Sequence, residues 1–162
     1  NNIKIDNVID IDEKRYEFIL DNSDMSAIKK IAEILKVSDN EIPQEVIQAR
    51  SQMSIRAVSI FDYRSRDLSN KRSVEMFLKI IKEGIESGEF YTIYPEETAE
   101  MVVSFMQSIY ERITEEPSLK KVNNEVDYFI FILSKSLKIE ESEIEEIRNL
   151  LKKQLVDVFK IF

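Results

Sequence analysis

Apolar residues return every three or four positions along most of this chain, the spacing that lays one side of an α-helix against a core. Seven helical segments are predicted on that basis. The first two cover 11–21 and 24–36, with Ser23 as the expected N-cap of the second. Ile28, Ile31, Ala32 and Leu35 form the buried stripe of that second helix. A mostly polar stretch over 37–42 breaks the pattern. Pro43 suits a first helical position and opens a third helix over 43–64, whose inner face is Val46, Ala49, Met53, Ala57, Ile60 and Phe61. The fourth helix, 70–87, carries Val74, Phe77, Leu78, Ile81 and Ile85. Gly88 stands where a left-handed C-cap belongs. Gly84 sits inside the helix, at a cost of about 1 kcal/mol against alanine, so a close helix–helix contact is expected there.

The fifth helix, 96–113, is apolar on two sides. Ala99, Val102, Val103, Met106 and Tyr110 make one stripe, and Met101, Phe105 and Ile109 make another. Such a helix lies in mid-bundle or forms a seam between subunits. Pro117 separates it from a sixth segment, 123–137. The apolar run from Tyr128 to Leu133 in that segment also suits a strand, but helical neighbours and the lack of a partner strand favour helix. The last helix, 140–162, opens on five glutamates and carries Lys152, Lys153 and Lys160 toward its end, which complements the helix dipole. Ile144, Ile147, Leu151, Leu155, Val158 and Phe162 line its inner face. The expected architecture is an all-α bundle forming a single domain over 1–162.

Composition narrows the chemistry more than it changes this fold. The 162 residues include 2 glycines, 3 prolines and no cysteine, histidine or tryptophan. Zinc fingers, disulfide frameworks, haem ligation and histidine-based catalytic triads are therefore excluded, as is a Gly-rich phosphate loop. A net charge of −8 argues against broad contact with a phosphate backbone. No apolar run approaches the roughly 20 residues of a membrane span, and the opening residues show no signal peptide. A cytoplasmic location is expected, with no membrane partner and no cofactor.

Carboxylates are the one abundant catalytic type. Glu97 and Glu100 share a helical face at a spacing that can hold magnesium, but such a site needs a second acidic pair opposite. Glu125 and Asp127 are two apart and point to different sides of a helix, so all four read as surface charges. Glu143 and Glu146 repeat the spacing at a helix start, and Asp6, Asp10 and Asp12 lack the rest of a calcium loop. Residues 31–47 loosely resemble a helix-turn-helix, yet 43–50 offers only Arg50 as a cation, so ordinary packing is the better reading. Arg64, Arg66, Lys71 and Arg72, interrupted by Asp67, read as a polar corner between helices. Met53, Arg56, Ile60 and Tyr63 share one face of the third helix, and Phe77, Met101 and Phe105 lie on the next two. These seven residues are the candidate lining of a pocket for an apolar ligand, with Arg56 or Tyr63 as a polar anchor. No residue set points to an enzyme.

The segment 80–103, IIKEGIESGEFYTIYPEETAEMVV, resembles the effector-binding domain of TetR-family transcriptional regulators. In that family an apolar-apolar-x-x-Gly-x-x-x-Gly-x-Phe helix end precedes a proline that opens a dimer-forming helix. Ile81, Gly84, Gly88, Phe90, Pro95 and Ala99 fall on those positions, while Tyr94 replaces the usual Asp and Ser108 stands near a common glycine. The resemblance implies a ligand-responsive repressor that acts as a homodimer and binds a small apolar or amphipathic effector. It places the dimer interface on Ala99, Val102, Val103, Met106, Tyr110, Val126, Phe129, Ile130 and Leu133. DNA binding would come from an N-terminal head of about 50 residues that lies outside this chain, which opens on Asn1. A stand-alone helical interaction module without DNA binding is the alternative.

Overall fold

The computed structural model describes residue 14 and residues 16–37 and 55–161, with the backbone alone for 55–69 and Tyr110. Among the described residues the fold is entirely helical. Residues 16–20 are helical and lead through a turn into α1, Ala27–Val37. α2 spans Ile55–Ser87, α3 Pro95–Glu115 and α4 Leu119–Leu137. A 3-10 turn, Glu141–Ile144, runs into α5, Glu145–Val158.

The helix starts are chemically defined. Ser26, rather than Ser23, caps α1, its Oγ accepting from the Lys29 N–H at 3.1 Å. The first two N–H groups of α1 donate to the carboxylate of Glu89, Ala27 at 2.8 Å and Ile28 at 3.2 Å. A side chain 62 residues away thus completes the helix terminus. Ser118 accepts from Lys121 N–H and starts α4 four residues earlier than the apolar pattern predicts. Glu140 and Glu143 form a reciprocal capping box before α5.

One predicted break is revised. The separation expected between a third helix ending at 64 and a fourth starting at 70 is absent, since α2 is continuous through 55–87. Serines, aspartate and asparagine in that stretch are poor helix formers but not breakers, and no proline occurs within α2. There is accordingly no helix corner at Arg64, Arg66, Lys71 and Arg72. The expected helix start at 43–54 lies outside the described residues. The apolar run 128–133 is helical, within α4.

The nearest neighbour of Gly84 is an aromatic ring rather than the backbone of another helix. A Cβ there would fall inside the ring of Phe90, which folds back from the turn that follows α2. Gly88 makes that return possible at φ +75°, and the Glu89 N–H donates to the Gly84 carbonyl at 3.0 Å. The Gly-x-x-x-Gly-x-Phe spacing is therefore a single lock: one glycine reverses the chain, and the other leaves room for the ring that reversal delivers.

The core gathers Ile31, Ile34 and Leu35 of α1, Phe77, Ile80 and Ile81 of α2, and Phe90. Ala99, Val102, Ile109 and Ile113 join from α3, Val126, Phe129, Ile130, Leu133 and Leu137 from α4, and Ile147, Leu151 and Leu155 from α5. Lys30 is buried among them, its Nζ donating to Glu83 at 2.7 Å and to the Leu20 carbonyl at 2.8 Å. Both its charge and its donors are satisfied, as burial of an ammonium requires.

Candidate functional site

α3 and α4 form an antiparallel hairpin joined by three residues, 116–118. Phe105 turns toward α4, with its ring 5.0 Å from Phe129 and 6.1 Å from Tyr128, centre to centre. Arg112, two turns along the same stripe, forks onto Glu125: Nε donates at 2.9 Å and Nη2 at 2.8 Å to Oε2. Its Nη1 donates to Ser108 at 2.7 Å, and the guanidinium lies 4.8 Å from the Phe105 ring centre. Arg112, helped by Lys121, holds the Glu125 carboxyl below its ordinary value. Lys152 at 2.8 Å and Arg148 do the same for Asp127, joining α4 to α5.

Both members of the second acidic pair are thus engaged with cations, and Glu97 and Glu100 are exposed. Among the described residues no group of three acidic, cysteine or histidine side chains is placed to hold a metal ion.

Of the seven residues expected to line a pocket, Met53 and the side chains of Arg56, Ile60 and Tyr63 lie outside what is described. Phe77 is in the core on α2, and Met101 and Phe105 of α3 pack against that same core, with Phe105 also against α4. α3 meets α2 through positions such as Gln107, which contacts Asn70, and the 101–105 stripe is turned away from that side. Met101 is half-buried on this same stripe. A depression of about 430 Å³, lined by Lys14, Glu17, Phe18, Asp21 and Asn22, contains none of the predicted residues.

The dimer stripe requires a correction too. Ala99, Val126, Phe129 and Ile130 have no exposed surface, and Val102, Val103 and Leu133 are buried with them in the chain's own core. Met106 packs partly buried against that core, and the Tyr110 side chain is outside the description. A second copy cannot reach this face without opening the bundle. The opposite face of the same hairpin is open instead, with Tyr128 56% and Phe131 44% exposed.

Sequence patterning did not single out that outward face, although its signal is present. Tyr128 and Phe131, three apart, stand among polar positions 124, 127 and 135. Glu89, Arg112 and Arg148 were missed as well, because a long-range partner leaves no periodic trace. Comparison with known proteins finds no family model, curated protein or solved structure that matches the chain. What is established is an all-helical fold, with no helix among the described residues long and apolar enough to cross a membrane.

Proposed function

We propose that this chain is the effector-binding and dimerisation part of a ligand-responsive transcriptional regulator of the TetR type. The observation that carries this reading is the lock at 84–95. Phe90 packs onto Gly84, Gly88 reverses the chain, and Pro95 opens a helix that belongs to a hairpin whose outward side exposes Tyr128 and Phe131. That order of parts is what the resemblance leads one to expect, and each part has its own physical reason here. The seam between copies then runs over the outward side of α3 and α4, not over the stripe first expected.

An apolar or amphipathic effector would be held on the face of α2 that carries Arg56, Ile60 and Tyr63, which share one side at the i, i+4, i+7 spacing. By favouring one arrangement of the dimer it would shift the spacing of two DNA-binding heads outside this chain. The reading assigns no catalytic residue and no cofactor, and it places the regulator in the cytoplasm.

The test is the intact mass of the product in its own cell, followed by a gel shift with the DNA upstream of its gene. A mass about 5–6 kDa above the fragment, the size of a helix-turn-helix head, with a shifted band, is the expected result. A product of 19.1 kDa that shifts no DNA would overturn the regulator and leave a helical interaction module.

A further inference from the structure

The turn between α2 and α3 presents an apolar surface that the chain's own core does not use. From Phe90 onward the residues alternate, with Phe90 and Thr92 buried and Tyr91 and Ile93 exposed, and Tyr94 follows them outward. Tyr91 is 49%, Ile93 62% and Tyr94 61% exposed, three large side chains within four positions. Single exposed apolar residues are ordinary on a protein surface, but a contiguous group marks an interaction site.

The turn holds its shape without a partner. Its first end is fixed by the Phe90 ring on Gly84 and by the Tyr91 N–H, which donates to the Leu137 carbonyl at 3.0 Å. In the middle, the Tyr94 N–H donates to Thr92 Oγ1 at 3.1 Å. At the far end the Tyr94 carbonyl accepts from both the N–H and the hydroxyl of Thr98, at 3.0 and 2.7 Å. A partner meeting these side chains has little backbone left to order, and rigid aromatic anchors gain affinity in that way.

Charge says what kind of partner fits. The bond from Tyr91 to Leu137 brings the end of α4 to the turn, and Lys138 Nζ lies 5.0 Å from the Tyr91 ring centre. Lys138 makes no ion pair among the described residues. The carboxylates that adjoin these segments in sequence are engaged within the chain. Glu89 accepts from the first N–H groups of α1, Glu96 pairs with Lys82 at 3.5 Å, and Glu140 belongs to the capping box before α5. A cation resting on an aromatic ring, beside further apolar side chains, is thus left open on a chain of net charge −8. A flat anionic membrane fits it poorly, since that surface would also press on the exposed Glu96 and Glu97 just after the turn. A narrow strand bearing apolar and acidic side chains reaches the rings and the lysine without them.

We propose that turn 91–94, with Lys138, is a docking surface for an extended acidic and apolar peptide segment of a partner protein. Apolar side chains of the segment cover Tyr91, Ile93 and Tyr94, and one of its carboxylates takes Lys138. Such a surface serves a regulator or a stand-alone module alike.

The test is fluorescence anisotropy of a short labelled peptide of alternating leucine and aspartate, beside one of alternating leucine and lysine. Each is titrated with the native chain, with Tyr91→Ser/Tyr94→Ser and with Lys138→Gln. All three positions are exposed, so the fold, checked by circular dichroism, is expected to survive. The acidic peptide should bind and the basic one should not. Either variant should raise the dissociation constant about tenfold, and added salt should weaken binding. An acidic peptide that fails to bind, or that binds all three proteins alike, would overturn the proposal, as would a basic peptide bound equally well. Loss of chain dimers in Tyr91→Ser/Tyr94→Ser, seen by sedimentation, would give the turn to a second copy instead. Pelleting of the native chain, but not of that variant, with phosphatidylglycerol vesicles would give it to a membrane and overturn the proposal too.

Discussion

The two faces of the α3–α4 hairpin are made by the same helices at the same level, yet they do opposite things. The inner face holds Ala99, Ile109, Val126, Phe129 and Ile130, all fully buried and all apolar. The outer face carries two large rings, Tyr128 and Phe131, at partial exposure, framed by glutamates on one helix and lysines on the other. The inner face is continuous with the rest of the core and needs no second chain. The outer face has burial to gain and charges to match, which is what an association surface requires. A doubly apolar helix therefore announces two partners, and only packing tells which stripe meets which.

Several substitutions would separate these faces, starting with the largest effect. Phe129→Ala removes a fully buried ring that packs against Phe105, and should cost about 3–5 kcal/mol in chemical denaturation. Tyr128→Ala, one residue earlier on the outer side, should leave the stability of the monomer within about 1 kcal/mol while weakening association. Gly84→Ala should cost about 1–3 kcal/mol, because the added methyl meets the Phe90 ring. Gly88→Ala tests the other half of the lock: there is open space for a methyl, but φ is positive, so about 1–2 kcal/mol is expected. Glu89→Ala strips two N–H groups at the start of α1 of their acceptor and should cost about 1–2 kcal/mol, with hydrogen exchange faster at Ala27 and Ile28 than elsewhere in α1.

The smallest effect is one of pH. Glu125 and Asp127 are both held below their ordinary values of 4.5 and 3.8, so the folded chain binds fewer protons than the unfolded one through that range. Their contribution is complete above those ordinary values and is lost as pH falls through the lower folded ones. Thermal stability measured from pH 6 downward should start to fall near pH 4.5 from these groups. Arg112→Gln, which removes the main partner of Glu125, should flatten part of that decline.

Much of the fold was legible because helical periodicity is a local property. Pro95, Pro117 and Gly88 mark real boundaries, and most of the expected stripes are buried: Ile31, Ala32 and Leu35 of α1, then Ile144, Ile147, Leu151 and Leu155, whereas Ile28 is half-buried, Val158 is exposed and Phe162 lies outside the described residues. The unbroken α2 was not legible: 64–70 has no apolar stripe to advertise a helix, and nothing in it strong enough to stop one. Contacts over long separations left no periodic mark either. Glu89 at the start of α1, Lys30 on Glu83 and Arg148 between α4 and α5 join positions whose spacing follows no helical repeat. The dimer stripe failed for a third reason. Apolar content ranks faces by hydrophobicity, so the most apolar stripe went to the core, and the seam proposed above falls on the mixed one.

The most direct measurement is the sedimentation mass of Tyr128→Glu/Phe131→Glu beside that of Glu100→Gln, a change away from the outward rings. The account predicts that the native chain and Glu100→Gln sediment at twice 19.1 kDa, while the double variant is a folded monomer of about 19.1 kDa. A double variant that remains dimeric would contradict it, because the second copy would then be held by some other face.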